Sequence, residues 1–126
     1  MKKKVLVIED EPANMKLVLD LLEVAGHCTL AANNGRQGVE LAQKELPDLI
    51  LMDIQMPVMD GLEATRLLKA DEQTKHIPII ALTALAMQGD DKIIKNAGCD
   101  GYITKPIDIK KFLKEINLRL TSNRPE

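Results

Sequence analysis

Short apolar runs along the chain mark the positions of candidate β-strands. Four of them stand out, at residues 5–8, 49–52, 79–82 and, more weakly, 102–103. Uninterrupted apolar runs of this length are typical of strands that are covered on both faces, as in a parallel sheet. A further candidate at residues 28–32 lies between the first two and is more ambiguous.

The segments between these runs carry apolar residues at helical spacing. We expect helices over 15–22, 36–44, 62–69, 93–97 and 109–120. Gly26 stands where the C-terminal cap of the first helix would lie, and Asp108 is a plausible N-cap for the last. Strand and helix therefore alternate five times, which predicts a doubly wound α/β domain with right-handed crossovers.

Composition and charge narrow the class of protein. The chain has 126 residues, 45% of them hydrophobic and 29% charged, which fits one globular domain. A net charge of −2 provides no basic field for a nucleic-acid backbone. The apolar stretch behind the basic N-terminus is interrupted at Glu9, too early for a signal peptide or a membrane span. We expect a soluble, cytoplasmic protein with no direct nucleic-acid or membrane partner.

The two cysteines do not indicate a disulfide framework. Cys28 and Cys99 are far apart in sequence and have apolar neighbours, whereas small secreted scaffolds carry a denser, paired set. We therefore expect both thiols to be reduced and buried.

Polar residues follow the apolar runs at the positions that matter most in a parallel sheet. Glu9 and Asp10 follow the first run, Asp53 follows the run at 49–52, and Thr83 and Lys105 follow the last two. In open parallel sheets the ligand crevice lies beyond the carboxyl ends of the strands. We expect three carboxylates, one hydroxyl and one ammonium group to meet there.

Three neighbouring carboxylates repel one another, and a bound cation or a raised pKa resolves the repulsion. Oxygen ligands select a hard ion. A small number of carboxylates favours Mg²⁺ over Ca²⁺, because Mg²⁺ retains several water ligands. The sequence also has no EF-hand pattern that would indicate Ca²⁺. Mg²⁺ beside a carboxylate and a lysine recurs in phosphoryl transfer. An aspartate carboxylate can itself be the nucleophile and form an aspartyl phosphate.

Five motifs, in order along the chain, resemble those of response-regulator receiver domains of two-component signalling. They lie at residues 7–11, 48–57, 59–61, 81–84 and 104–106. The resemblance covers essentially the whole chain and is to the single-domain type. It implies a flavodoxin-like, five-stranded parallel sheet in the order 2-1-3-4-5 with five helices. It also implies a receiver domain over residues 1–121 and a short C-terminal tail over residues 122–126.

The resemblance implies a role for each candidate site residue. Asp53 would accept a phosphoryl group from a histidine kinase or a histidine phosphotransfer protein. Mg²⁺ would be held by Glu9, Asp10, Asp53 and the backbone carbonyl of Gln55.

The same resemblance implies how the phosphoryl group would be read. Lys105 would contact the phosphoryl oxygens, the Thr83 hydroxyl would move onto them, and the Tyr102 ring would turn inward. The bond between Lys105 and Pro106 is a candidate cis peptide. A new phosphoryl group adds about −1.5 to −2 charges and three acceptor oxygens, so a local change can alter a surface that binds a downstream protein target.

Other functions remain open at this stage. The chain can be a phosphorelay intermediate or a receiver from a hybrid histidine kinase, in place of an allosteric switch. An aspartyl-phosphate phosphatase or hydrolase is a weaker alternative, because it would need a substrate pocket and a second acid–base carboxylate. A nucleotide-binding domain is disfavoured because neither glycine-rich phosphate motif follows the first run. We therefore expect a phosphoacceptor that assists its own phosphorylation and dephosphorylation, and not a stand-alone enzyme.

Overall fold

Strands and helices alternate throughout the computed structural model, which describes residues 3–54, 59–84 and 90–122. The strands are β1 (Lys4–Ile8), β2 (Cys28–Ala32), β3 (Leu49–Asp53), β4 (Ile79–Thr83) and β5 (Gly101–Thr104). The helices are α1 (Pro12–Val24), α2 (Gly35–Glu45), α3 (Gly61–Ala70), α4 (Asp90–Ala97) and α5 (Ile109–Ser122).

The five strands form one parallel sheet in the order β2-β1-β3-β4-β5. This order and the alternation with helices confirm the predicted fold class. Because β1 and β3 are neighbours, with Ile8 beside Met52 in the register, the residues that come directly after Ile8 and Met52 lie side by side. The topology thus brings Glu9 close to Asp53.

Alternate residues of the central strands pack against helices on opposite faces of the sheet. Leu6, Ile8, Ile50 and Met52 lie in a cluster with residues of α2, α3 and α4. Their sequence neighbours pack against α1 and α5, where Phe112 is fully buried. Burial on both faces explains why β1, β3 and β4 read as uninterrupted apolar runs.

Short polar side chains and one glycine set the helix ends. Asp108 Oδ1 accepts a hydrogen bond of 3.1 Å from the backbone N–H of Lys111, so it caps α5 as predicted. Gly26 directly follows Ala25, the C-cap residue of α1, and has φ +93°, a conformation that favours glycine.

None of the helices in the described ranges is both long and apolar enough to span a bilayer.

The two cysteines lie in different environments. Both are free thiols, and Cys99 is buried as expected. The prediction that Cys28 is also buried was wrong, because Cys28 is exposed. It begins β2, which is at the edge of the sheet and pairs only with β1. An edge strand has one open side, so apolar neighbours in sequence do not guarantee burial there.

Candidate functional site

Three carboxylates meet beyond the carboxyl ends of β1 and β3. One oxygen from each of Glu9, Asp10 and Asp53 lies within 4.8 Å of the other two. Glu9 and Asp53 are only 1% and 3% exposed, whereas Asp10 is exposed. The cluster therefore has a buried floor and one side open to solvent.

Lys105 lies directly over the two buried carboxylates. Its Nζ is 3.2 Å from Glu9 Oε1 and 3.3 Å from Asp53 Oδ1, and its side chain is largely buried. Burial alone lowers the pKa of Lys105, but the negative charges of Asp53 and Glu9 outweigh it and raise that pKa above the ordinary value. The ammonium group is therefore firmly charged and partly neutralises the cluster.

The donor atoms of this cluster fit a hard cation. Glu9 Oε2 accepts a hydrogen bond of 3.0 Å from the backbone N–H of Glu11. Glu9 Oε1 is buried and, among the described residues, has the Lys105 ion pair but no hydrogen bond of good geometry. A buried carboxylate oxygen that receives no such hydrogen bond and has two further carboxylates beside it is a suitable ligand for Mg²⁺.

Main-chain bonds hold the neighbouring strand ends in place. Thr83 ends β4, is 1% exposed, and accepts a 2.8 Å hydrogen bond from the backbone N–H of Lys105 through its own backbone carbonyl. The bond between Lys105 and Pro106 is a cis peptide. Thr83 and Lys105 are thus fixed relative to each other at the same end of the sheet as Asp53.

Tyr102 lies on β5 and is 46% exposed. It borders two surface cavities of about 320 and 360 Å³. One cavity is bounded by β5 and α5, and the other also reaches the end of α4. Tyr102 therefore lies on the surface that these three elements share.

The loop after Asp53 begins and ends in main-chain hydrogen bonds. The N–H of Ile54 donates to Leu82 O at 3.1 Å, and the N–H of Gly61 donates to Ile54 O at 3.0 Å. Gln55, whose carbonyl is the fourth predicted metal ligand, lies outside the described residues.

Two features of the site were missed by sequence reasoning. A Cβ on Gly61 would collide with the backbone oxygen of Asp53, so α3 begins in direct contact with the main chain of that residue. Asn33 lines a groove with Glu9 and Asp10, next to the apolar side chains of Met15 and Leu19. The glycine at the start of α3 was a signal for a close approach, but the position of Asn33 depends on how α2 packs.

Comparison with known proteins identifies the family to which the chain belongs. Residues 5–117 match the family described as the response regulator receiver domain. The chain belongs to this family. Receivers act in phosphorylation-based signalling, and the predicted resemblance is thereby confirmed.

The receiver is similar to curated proteins over nearly its whole length. It is 48% identical over 116 residues to the polar-differentiation response regulator DivK of Brucella anthropi. The match covers 92% of this chain and 94% of that protein. The DivK proteins of Brucella ovis and Brucella melitensis match to the same extent.

Solved structures share the fold and, in one case, hold a metal. The receiver domain of the sensor histidine kinase PA1611 from Pseudomonas aeruginosa has a magnesium ion coordinated in its active site cleft. It is 34% identical, with a TM-score of 0.89, over 96% of this chain and 99% of that one. The chemotaxis protein CheY4 of Vibrio cholerae is 31% identical, also with a TM-score of 0.89, over 95% of this chain and all of that one.

Proposed function

We propose that this receiver is a single-domain response regulator in which Asp53 accepts a phosphoryl group from a histidine kinase or a histidine phosphotransfer protein. The observation that carries the proposal is the buried Asp53 carboxylate, with Lys105 Nζ at 3.3 Å and two further carboxylates within reach. An Asp53 oxygen would attack phosphorus, and the bond from phosphorus to the donor nitrogen would break. The product is an acyl phosphate on Asp53.

Mg²⁺ is the cofactor that this donor set suits. Glu9, Asp10, Asp53 and the backbone carbonyl of Gln55 would hold it, and it would neutralise charge on the transferred phosphoryl oxygens. The buried Glu9 Oε1 supports this assignment, as does the magnesium ion in the PA1611 receiver.

The proposed switch uses groups at the ends of β4 and β5. Lys105 would pair with the new phosphoryl oxygens, because its ammonium group already contacts Asp53. The Thr83 hydroxyl would donate to the same oxygens, and the Tyr102 ring would turn inward as Thr83 moves. The altered surface around α4, β5 and α5 would then bind a downstream protein target in the cytoplasm.

A phosphorelay role is the second candidate, and similarity to the PA1611 receiver favours it, since that receiver comes from a sensor histidine kinase. In a relay, the phosphoryl group would pass from Asp53 to a histidine phosphotransfer protein. The higher identity to DivK, over 94% of its length, favours the single-domain regulator. In either role the protein is a phosphoacceptor that assists its own chemistry.

The test of the proposed function is the intact mass of the protein against time with Mg²⁺ and acetyl phosphate. Wild type is expected to gain one phosphoryl group, and Asp53→Asn is expected to gain none. Omitting Mg²⁺ should abolish the gain in wild type. An adduct that persists in Asp53→Asn would assign the acceptor to another residue. Rapid loss of the adduct to a histidine phosphotransfer protein would favour the relay.

A further inference from the structure

Helix α2 has two buried glycines that its helical conformation does not require. Gly35 and Gly38 lie in its first four residues, and neither has a positive φ. Glycine inside a helix costs about 0.5–1 kcal/mol relative to alanine. The absence of a side chain at these positions is therefore explained by what packs against them.

Gly35 lies against the main chain of the loop that follows Asp53. A Cβ on Gly35 would collide with the backbone oxygen of Met59 and would lie 3.0 Å from Met59 Cβ and 3.1 Å from Met59 C. A carbonyl group in a closed loop cannot rotate away as a side chain can. A Cβ on Gly38 would instead collide with the side chain of Ile8, which is fully buried and directly precedes Glu9.

The loop that contains Met59 is held at both ends close to Asp53. Its first residue, Ile54, bonds to β4 and to Gly61, as described above. Its last residue, Asp60, caps α3 through a 2.9 Å hydrogen bond from the N–H of Glu63. Contact between Gly35 and Met59 supports this second end of the loop from the side of α2.

The first turn of α2 is in turn connected to the segment that presents Glu9. The N–H of Glu9 donates to Ala32 O at 3.0 Å, at the end of β2. Two side-chain bonds then fix the turn into α2: the N–H of Gln37 donates to Asn34 Oδ1 at 2.9 Å, and the N–H of Asn33 donates to Gln37 Oε1 at 2.7 Å. Gly35 therefore lies where the segment bonded to Glu9 meets the loop following Asp53.

We propose that Gly35 is a positioning residue for the cation and phosphoryl site. Its close contact with the Met59 carbonyl sets the position of residues 59–61, where α3 begins against the Asp53 main chain, relative to the segment that holds Glu9. This inference rests on the proposed function, because it concerns the geometry that Mg²⁺ and phosphoryl transfer would require. Residues that orient ligands from outside the coordination shell typically change metal affinity by about 10–100-fold when replaced.

The test compares Gly35→Ala with Glu40→Ala, a substitution at an exposed position of the same helix. Mg²⁺ alone is titrated by calorimetry, and initial phosphorylation rates are measured with acetyl phosphate. In Gly35→Ala we expect the Mg²⁺ dissociation constant to rise by about tenfold. Glu40→Ala should keep the wild-type dissociation constant. Urea unfolding in EDTA reports whether each variant folds without metal.

A folded Gly35→Ala protein with wild-type Mg²⁺ affinity and phosphorylation rate would overturn the inference. If Gly35→Ala does not fold, Asn34→Ala is the second variant, because it removes the cap that fixes the first turn of α2 without adding a methyl group at residue 35. Weaker Mg²⁺ binding in that variant is expected, and unchanged binding would overturn the inference. If wild type itself fails to bind Mg²⁺ and to be phosphorylated, the proposed function fails instead.

Discussion

Lys105 supplies the counter-charge for two carboxylates that are almost completely buried. Its ammonium group is within 3.3 Å of both Glu9 and Asp53. Removing one member of a buried ionic group leaves the others without compensation, and this is more damaging than the absence of the whole group. The contribution of Lys105 to stability should therefore be measurable in the metal-free protein.

We expect Lys105→Met to lower the free energy of unfolding by about 3 kcal/mol at neutral pH, because Glu9 and Asp53 lose their positive partner. Urea unfolding in EDTA measures this, with Lys105→Arg as the charge-preserving control. Added Mg²⁺ should stabilise Lys105→Met more than wild type, because the cation would replace the missing charge. Equal stability of Lys105→Met and wild type in EDTA would contradict this expectation.

Individual residues differ in how far the sequence predicts their surroundings. Glu9, Asp53 and Lys105 lie together because each stands at the carboxyl end of a strand, and parallel strands end at the same edge. The burial of Cys28 was predicted wrongly because an edge position depends on strand order, which the local sequence does not encode. The contact of Gly35 with Met59 depends on the distance between two segments that are remote in sequence.

At the scale of elements, the pattern of apolar residues located all five strands and all five helices, but it left their ends uncertain. Helix α1 begins at Pro12, three residues before the first apolar residue of the predicted helix. The Glu11 side chain caps it, by accepting from the N–H of Ala13, and neither Pro12 nor Glu11 contributes to an apolar stripe. Strand order followed from the family resemblance and not from the pattern itself.

The N-cap of α5 provides a prediction about a single element. Asp108→Ala removes the bond to the N–H of Lys111, and we expect a loss of about 1 kcal/mol in the free energy of unfolding. Urea unfolding measures the loss, with Lys110→Ala in the exposed first turn of the same helix as the control. A loss of equal size in both variants would show that the cap itself is not responsible.

At the scale of the whole molecule, ligand binding and folding stability are linked. A ligand that binds only the folded state stabilises it by about 2.7 kcal/mol at a concentration 100 times its dissociation constant. The Mg²⁺ site proposed here joins the ends of β1 and β3, near the centre of the sheet. Mg²⁺ should therefore raise the thermal unfolding midpoint of the entire domain.

Asp10→Ala separates this linkage from intrinsic stability. Asp10 is exposed and lies beside two other carboxylates, so its removal relieves charge repulsion and should leave the unfolding midpoint in EDTA equal to or above that of wild type. The increase produced by Mg²⁺ should be much smaller in the variant, because one carboxylate ligand is lost. Thermal unfolding followed by circular dichroism, with and without Mg²⁺, measures both quantities. An undiminished increase would remove Asp10 from the metal site.

The scarcity of aromatic residues has a practical consequence for optical spectroscopy. The chain contains no tryptophan and a single tyrosine, Tyr102, which is half-exposed on β5 between two cavities. The tyrosine fluorescence of the protein therefore originates from one known position, without an introduced dye. Emission intensity, anisotropy and quenching by iodide each report on the environment of this one ring. The proposed inward turn of Tyr102 on phosphorylation can thus be tested at the surface of β5 by light alone, while mass spectrometry tests the proposed phosphoryl group on Asp53.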